Sequence, residues 1–488
     1  MATREAFFER AHEVEHVYLG YSDLQLRTER ISEVDAAQVD ISGRVSANVI
    51  LKNPLIAAAM NSVSEDKMGI ATGLNGAGAI LHHCNTPEEQ KKMVRTVKTY
   101  LNGVITEPVV AREDQTLAEV LQVLDKADND FRTIPVIDEN GRCTGLMDDT
   151  TFSIFGPDAE TVKIGEAMHP LGEFVTADNG TTPEDVYKLM REKRAPSVVL
   201  LDTDRRVGGL CLKGGILREV NSNPDEYSVD QNGRLITFAS VPTIPDEALE
   251  RIRIMRKYLD VVFIDTSHGE HKYALETLKA IKENTDIDVI AGNISTEQAA
   301  IQIARLEPDG ISVGQGPGQI CVSSDRLGFG TPQASAVYEV AKGARSVNPD
   351  IAIIADGGIS QSADSVKALA LGATVIKAGG LFAGTDETPV PILTDKSGVK
   401  YKEYWGMGSE RAQRNFAAAR ARYGNFGAPK KIIFVEGFEK QVPLKGPVAD
   451  VIEEHVMGMK ISMAAQGAHN AADLFENARF MRGANTKK

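Results

Sequence analysis

Short apolar runs that close on small or polar residues recur along the chain: PLIAAAM (54–60), AILHH (79–83), LITFASV (235–241), VVFIDTS (261–267), DVIAGN (288–293), GISVGQ (310–315), IAIIADGG (351–358) and TVIKAGG (374–380). Hydrophobicity inside these runs is continuous rather than alternating, as expected of strands buried on both faces. Between several of them lie stretches with apolar residues three and four apart, at 274–284, 295–307 and 361–373, and this spacing predicts helices packed on those strands. Repeated strand–helix alternation of this kind predicts an α/β fold, a closed (β/α)8 TIM barrel.

Residues 84–234 break the rhythm and are far too many for a barrel loop. Inside them the sequence repeats itself: the stretch 104–147, from VITEPVV to CTGLM, is echoed by 164–212, from IGEAMHP to GGLCL. Each copy reads as strand, helix with an acidic start, strand, turn, strand. The expectation is a compact tandem module over residues 92–219 whose halves pack on each other, inserted between barrel segments 1–91 and 220–488. The polar stretch Asn221 to Glu226 marks the return to the barrel.

Composition narrows the class. With 488 residues, 42% hydrophobic and 25% charged, the chain is ordinary globular material, too long for one core. A formal charge of −14 without a long basic run disfavours a nucleic-acid or anionic-membrane surface. The four cysteines, Cys84, Cys143, Cys211 and Cys321, form no CxxC pair or zinc spacing and read as intracellular thiols. The charged N-terminal stretch lacks an apolar signal core and no run is long enough to span a membrane, so a cytoplasmic protein is expected.

In such a barrel the working residues come from the C-terminal strand ends. These are polar and glycine-rich: Met60-Asn61, His82-His83, Ser240, Asp265 to His268, Gly292-Asn293, Gly314 to Gly316, Asp356 to Gly358 and Gly379-Gly380. Glycines after the seventh and eighth runs suit a phosphate cradle, where backbone N–H groups must approach an oxyanion; tight turns are the plainer alternative for each glycine taken alone. Cys321 follows the irregular loop GQGPGQI (314–320). A lone cysteine is commonly a small buried hydrophobe, but loop N–H groups here could support a thiolate that reaches an electrophile. Ser323 and Ser324 could position a water or supply a proton, or could cap the next helix. Residues 404–446 read as a mobile lid, with a solvated surface arm as the alternative.

The segments GQGPGQIC (314–321), IADGGIS (354–360), GGLFAGTDETP (379–389), EYWGMGS (403–409) and VEGFEKQVPLKGP (435–447) resemble the barrel of IMP dehydrogenases and the related GMP reductases, and the tandem insertion resembles a CBS-domain (Bateman) pair. The resemblance implies that Cys321 is the nucleophile toward IMP, with NAD taking the hydride and a thioimidate left on the enzyme. It implies that Asp356 holds the ribose hydroxyls, that Gly358, Gly379, Gly380 and Tyr404 hold the phosphate, that Met407, Gly408 and Glu436 face the base, that Gly406 belongs to the same substrate site, and that Asn293 lines the nicotinamide and substrate region. Asp265, Thr266, Ser267, Gly314 and Gly316 would line the nicotinamide region, and carbonyls of Gly316, Gly318 and Cys321 a potassium site. Ser323 stands at a hydroxyl position of the catalytic loop, and Arg422-Tyr423 matches the pair with which a closing flap promotes hydrolysis in the dehydrogenase branch. The family also implies a homotetramer, pairing into octamers through the CBS modules.

The chain departs from the dehydrogenase pattern at several places. Glu410 and the Gly379-Gly380 pair resemble reductases, Gln319 and Asn61 replace a usual Ser and Asp, and the ribose-binding Asp of CBS repeats aligns with Thr151 and Gly215. The expected activity is NAD-dependent IMP oxidation, with an NADPH-dependent GMP reductase and a non-catalytic purine-nucleotide sensor as the alternatives.

Overall fold

The computed structural model describes residues 3–28, 31–126, 132–416, 419–420 and 434–483. Each of the eight apolar runs contains a strand or overlaps one that extends a single residue beyond it: β1 Leu55–Ala57, β2 Gly78–Leu81, β3 Phe238–Val241, β4 Val261–Ile264, β5 Asp288–Ile294, β6 Gly310–Val313, β7 Ala352–Asp356 and β8 Val375–Ala378. They pair in parallel, in chain order, and β8 returns to β1 to close the barrel. Almost every residue in them is buried, because helices cover the outside while the inside is filled by Ile56, Ile80, Phe238, Phe263, Ile290, Ile354 and Val375.

The helices sit where the three- and four-residue spacing placed them, with ends set by capping. Lys272–Asn284 begins at His271, Glu297–Ala304 begins where Thr296 Oγ1 accepts from Ala299 N at 3.3 Å, and Ser362–Ala370 carries a capping box between Gln361 and Asp364.

The chain divides into two compact units, Met1–Lys98 with Pro224–Lys488, and Thr99–Asn223. The expected boundary at residue 92 therefore moves, because it cuts the helix Pro87–Lys98. That helix is a barrel helix to its last residue: the Lys98 ammonium, fully buried, lies 2.7 Å from Oδ2 of Asp230 and 2.7 Å from Oδ2 of Asp260. An ammonium so buried needs both carboxylates, and together they fix where the chain leaves the barrel.

The second unit holds two four-stranded sheets. One contains Ala111–Arg112, Ile134–Ile137 and Cys143–Met147, the other Thr176–Asp178, Ser197–Leu201 and Val207–Leu212, so both copies of the repeat fold alike. Each sheet is completed by a strand from outside those triplets, His169–Pro170 in the first and Val104–Ile105 in the second. Cys143, Leu146, Val199 and Leu210 form a core shared by the two halves.

The segment 404–446 is not a detached arm at its ends. Lys400–Trp405 pairs antiparallel with Glu439–Pro443 in a small three-stranded sheet, so Tyr404 and Trp405 are buried residues of a ladder. Arg422 and Tyr423 lie outside the described residues.

Candidate functional site

At the C-terminal ends of the strands an open cleft of about 930 Å³, solvent at its mouth included, gathers residues from β1 and β4 to β8 and from the sheet beyond β8. Of the positions singled out in the sequence, Cys321, Ser323, Asn293, Asp356, Gly379, Tyr404, Gly406, Met407, Gly408, Glu436, Asp265, Thr266, Ser267, Gly314, Gly316 and Gly318 all line it. Gly358 and Gly380 do not: Gly358 lies against Gln333 and Tyr21, and a Cβ on Gly380 would meet Gln319 Oε1 at 2.9 Å. Of the two glycine pairs, Gly357 and Gly379 are the members that reach the cleft.

The cysteine loop leaves β6 at Gly314, whose φ of +140° and close approach leave no room for a side chain: a Cβ would stand 2.2 Å from Asp356 O. The loop closes with Cys321 N–H donating to Gly318 O at 3.0 Å. It is then clamped from the far side, where Val322 N donates to Glu436 O at 2.9 Å and Phe438 N to Ile320 O at 3.1 Å. The strand pairing of 400–405 with 439–443 thus carries Glu436 to the cysteine, an arrangement invisible to spacing since the two lie over a hundred residues apart.

Cys321 Sγ lies 3.2 Å from Ser323 Oγ, and Ser323 Oγ donates to Glu436 Oε2 at 2.8 Å. The serine has only one proton and spends it on the carboxylate, so its oxygen is left to accept from the thiol. The order is thiol, hydroxyl, carboxylate. Cys143 and Cys211 differ in kind: both are buried in the second unit, and burial pushes their thiols up, that of Cys211 to about 12.

Across the cleft, Asn293 Nδ2 donates to Gly314 O at 2.9 Å and to Asp356 Oδ2 at 2.6 Å. Gln333 Nε2 donates to Val313 O at 2.9 Å and to Asp356 O at 3.1 Å, tying the ends of β6 and β7 together. The Tyr404 hydroxyl reaches the same space, 2.5 Å from where a Cβ on Gly379 would be. Burial, reinforced by the charges of Asp356 and Cys321, drives its ionisation far upward, so it remains a neutral donor. Lys377 also lines the cleft and forms an ion pair with Asp356 Oδ2 at 2.8 Å. The sequence reading missed it, although the signal was there: a single charge in the apolar run TVIKAGG.

The reductase-like Glu410 begins the helix Glu410–Asn415, is bonded to Arg414 Nε at 2.8 Å, and does not line the cleft. Asn61 is committed elsewhere, its Oδ1 accepting from Trp405 Nε1 at 3.0 Å. Among the described residues no helix is long and apolar enough to cross a membrane.

Residues 18–487 match the family model described as IMP dehydrogenase / GMP reductase domain. The inosine-5'-monophosphate dehydrogenase of Aquifex aeolicus is 34% identical over 455 residues, covering 92% of this chain and 90% of that protein. That of Methanocaldococcus jannaschii is 33% identical over 460 residues, covering 92% and 90%. Among solved structures, a cysteine-to-alanine variant of GMP reductase from Trypanosoma brucei in complex with guanosine 5'-monophosphate superposes with a TM-score of 0.77 at 28% identity, covering 96% of each chain.

Proposed function

The chain belongs to the IMP dehydrogenase / GMP reductase family, and from that premise we propose that it oxidises IMP to XMP with NAD. The observation that supports this most directly is the run from the Cys321 thiol through Ser323 to Glu436 along the cleft wall. The thiol proton passes to Ser323 as the hydroxyl proton moves toward Glu436, and the sulfur bonds to the hypoxanthine carbon between the two ring nitrogens. NAD, held beside Asp265, Thr266, Ser267, Gly314 and Gly316, supplies the acceptor for the hydride that leaves this carbon with its electron pair; the exposed ring of Phe329 at the same wall offers a flat apolar surface that fits the group. What remains on the enzyme is a thioimidate, and water adding to the same carbon expels the Cys321 thiolate and releases XMP.

Asp356 and Asn293 hold the sugar, and the neutral Tyr404 hydroxyl with the backbone at Gly379 receives the phosphate. Met407 and Gly408 flank the base. Arg422-Tyr423 acts in the hydrolytic half of the reaction, a role assigned from sequence. A potassium ion on the carbonyls of Gly316, Gly318 and Cys321 belongs to the same reading; Gly318 O already closes the turn with Cys321 N–H, which leaves it one lone pair for a cation. The second unit is read as the CBS pair. Its two ribose positions carry no acid: the Thr151 hydroxyl is bonded to Asp148, and Gly215 packs against Asn102 O. A cytoplasmic homotetramer completes the proposal.

The second reading is a GMP reductase, favoured by the Trypanosoma brucei structures, which match nearly the whole chain. The position of Glu410, outside the cleft lining and paired with Arg414, speaks against its serving in ammonia release. Parallel assays separate the two: NADH formation from IMP and NAD is expected, and NADPH consumption with ammonia release from GMP would replace this reading by the other. Under turnover with IMP, intact-mass analysis is expected to show a nucleotide adduct on the unaltered enzyme and none on Cys321→Ala. An adduct on the variant removes Cys321 from the role.

A further inference from the structure

Lys377 is the only charged residue of β8, and the register of the barrel sets it directly across from Asp356 on β7, so both side chains point inward at the mouth. The residue is only 7% exposed and lines the cleft. Its ammonium lies 2.8 Å from Asp356 Oδ2, the oxygen that also accepts from Asn293 Nδ2 at 2.6 Å. The Asn293 amide donates to Oδ2 and the ammonium pairs with the same oxygen, which leaves Oδ1 as the acceptor for a ligand; no hydrogen bond reaches Oδ1 among the described residues. An ammonium carries three donors, and Asp356 is the one anionic acceptor that the described residues give it. The Phe263 ring, its centroid 5.8 Å from the ammonium, offers its face to the charge but no hydrogen-bonding oxygen, so N–H donors remain for an oxygen that enters the cleft.

We propose that Lys377 is a specificity-determining residue that reads the sugar: its ammonium donates to the oxygen of one ribose hydroxyl while Asp356 Oδ1 accepts from the neighbouring one. A vicinal diol offers an acceptor and a donor at this spacing. A phosphate suits the position poorly, because Asp356 already neutralises the ammonium and stands beside it, whereas the backbone at Gly379 and the neutral Tyr404 hydroxyl, held among the described residues by nothing stronger than a 3.9 Å contact to Met60 Sδ, are paired with no carboxylate there. The inference rests on the reading of the ligand as a purine nucleoside monophosphate.

Calorimetric titration of the unaltered protein and Lys377→Met with IMP, 2'-deoxy-IMP and 3'-deoxy-IMP tests it. Lys377→Met is expected to weaken IMP roughly ten- to a hundredfold. The analogue lacking the hydroxyl that Lys377 reads is expected to bind both proteins within about threefold, because the lost contact was never made. Equal weakening of all three ligands would reduce Lys377 to a structural partner of Asp356 and overturn the proposal, as would no weakening of any. Should the variant fold poorly, the unaltered protein still decides: loss of either hydroxyl is expected to cost about tenfold in affinity, and two analogues that bind as well as IMP overturn it. Failure of IMP itself to bind the unaltered protein sinks the nucleotide reading, a separate outcome.

Discussion

The hydroxyl of Ser323 has one proton, and Glu436 takes it; everything proposed for the cysteine depends on that direction. Remove the hydroxyl and the thiol has lost its nearest acceptor, while the loop around it keeps its backbone clamp to Glu436 O and Phe438 N. Ser323→Ala should therefore slow hydride transfer about a hundredfold with little change in IMP affinity, since the loss falls on proton transfer alone. Ser323→Thr, which restores a hydroxyl, should recover most of the rate. Single-turnover NADH formation measures the step, and an unchanged rate in the alanine variant removes Ser323 from the path. At this scale the sequence was partly legible. Cys321 stood out because glycines and a proline surrounded it, but Glu436 reaches it only through a strand pairing that spacing cannot reveal. Lys377 was read as strand because its neighbours are apolar, although a charge in a strand buried on both faces must be paired with something.

Between elements, the helix Val448–Ala465 packs on Ser362–Ala370 through a polar contact in an apolar seam: His455 Nε2 and Ser365 Oγ are 2.8 Å apart, both buried. Burial drives the imidazole down to about 4 from its usual 6.5, with Asp364 pulling weakly the other way. The folded chain thus keeps the ring neutral while the unfolded chain protonates it near 6.5. Stability from this group is complete above pH 6.5, falls as the pH drops toward 4, and the loss reaches about 3 kcal/mol below that. In denaturant titrations at pH 7 and pH 4.5, His455→Gln should lose less stability on acidification than the unaltered protein; equal losses would show that the seam does not titrate. Elements themselves were the most readable level, since continuous apolar runs have few ways to be buried other than as barrel strands. The errors lie where long-range packing decides. Residues 92–98 of the helix Pro87–Lys98 looked like the start of the insertion until Lys98 met Asp230 and Asp260, and residues 404–405 and 439–443 looked like lid until they joined a strand ladder.

At the scale of the whole chain, each unit buries its own apolar residues. The barrel interior gathers around Ile56, Phe238, Phe263 and Ile354, while the second unit has separate clusters around Leu117 and Phe152 and around Val186 and Ile216. The insertion was visible in the sequence as a broken rhythm with an internal repeat, because a repeat needs no long-range information to be seen. Every described residue assigned to the cleft, Cys321, Ser323, Asn293, Asp356, Lys377 and Glu436 among them, belongs to the barrel unit. Independent cores predict independent folding, and a site confined to one unit predicts that chemistry survives without the other. A chain in which Thr99–Asn223 is replaced by a short Gly/Ser linker should fold cooperatively and oxidise IMP with kcat within about threefold of the full-length protein. Its Cys321 should still form the adduct under turnover. A soluble, cooperatively folding variant that binds IMP yet turns over far more slowly would mean that the inserted unit takes part in the catalytic cycle, and the division of labour argued from the cores would fall.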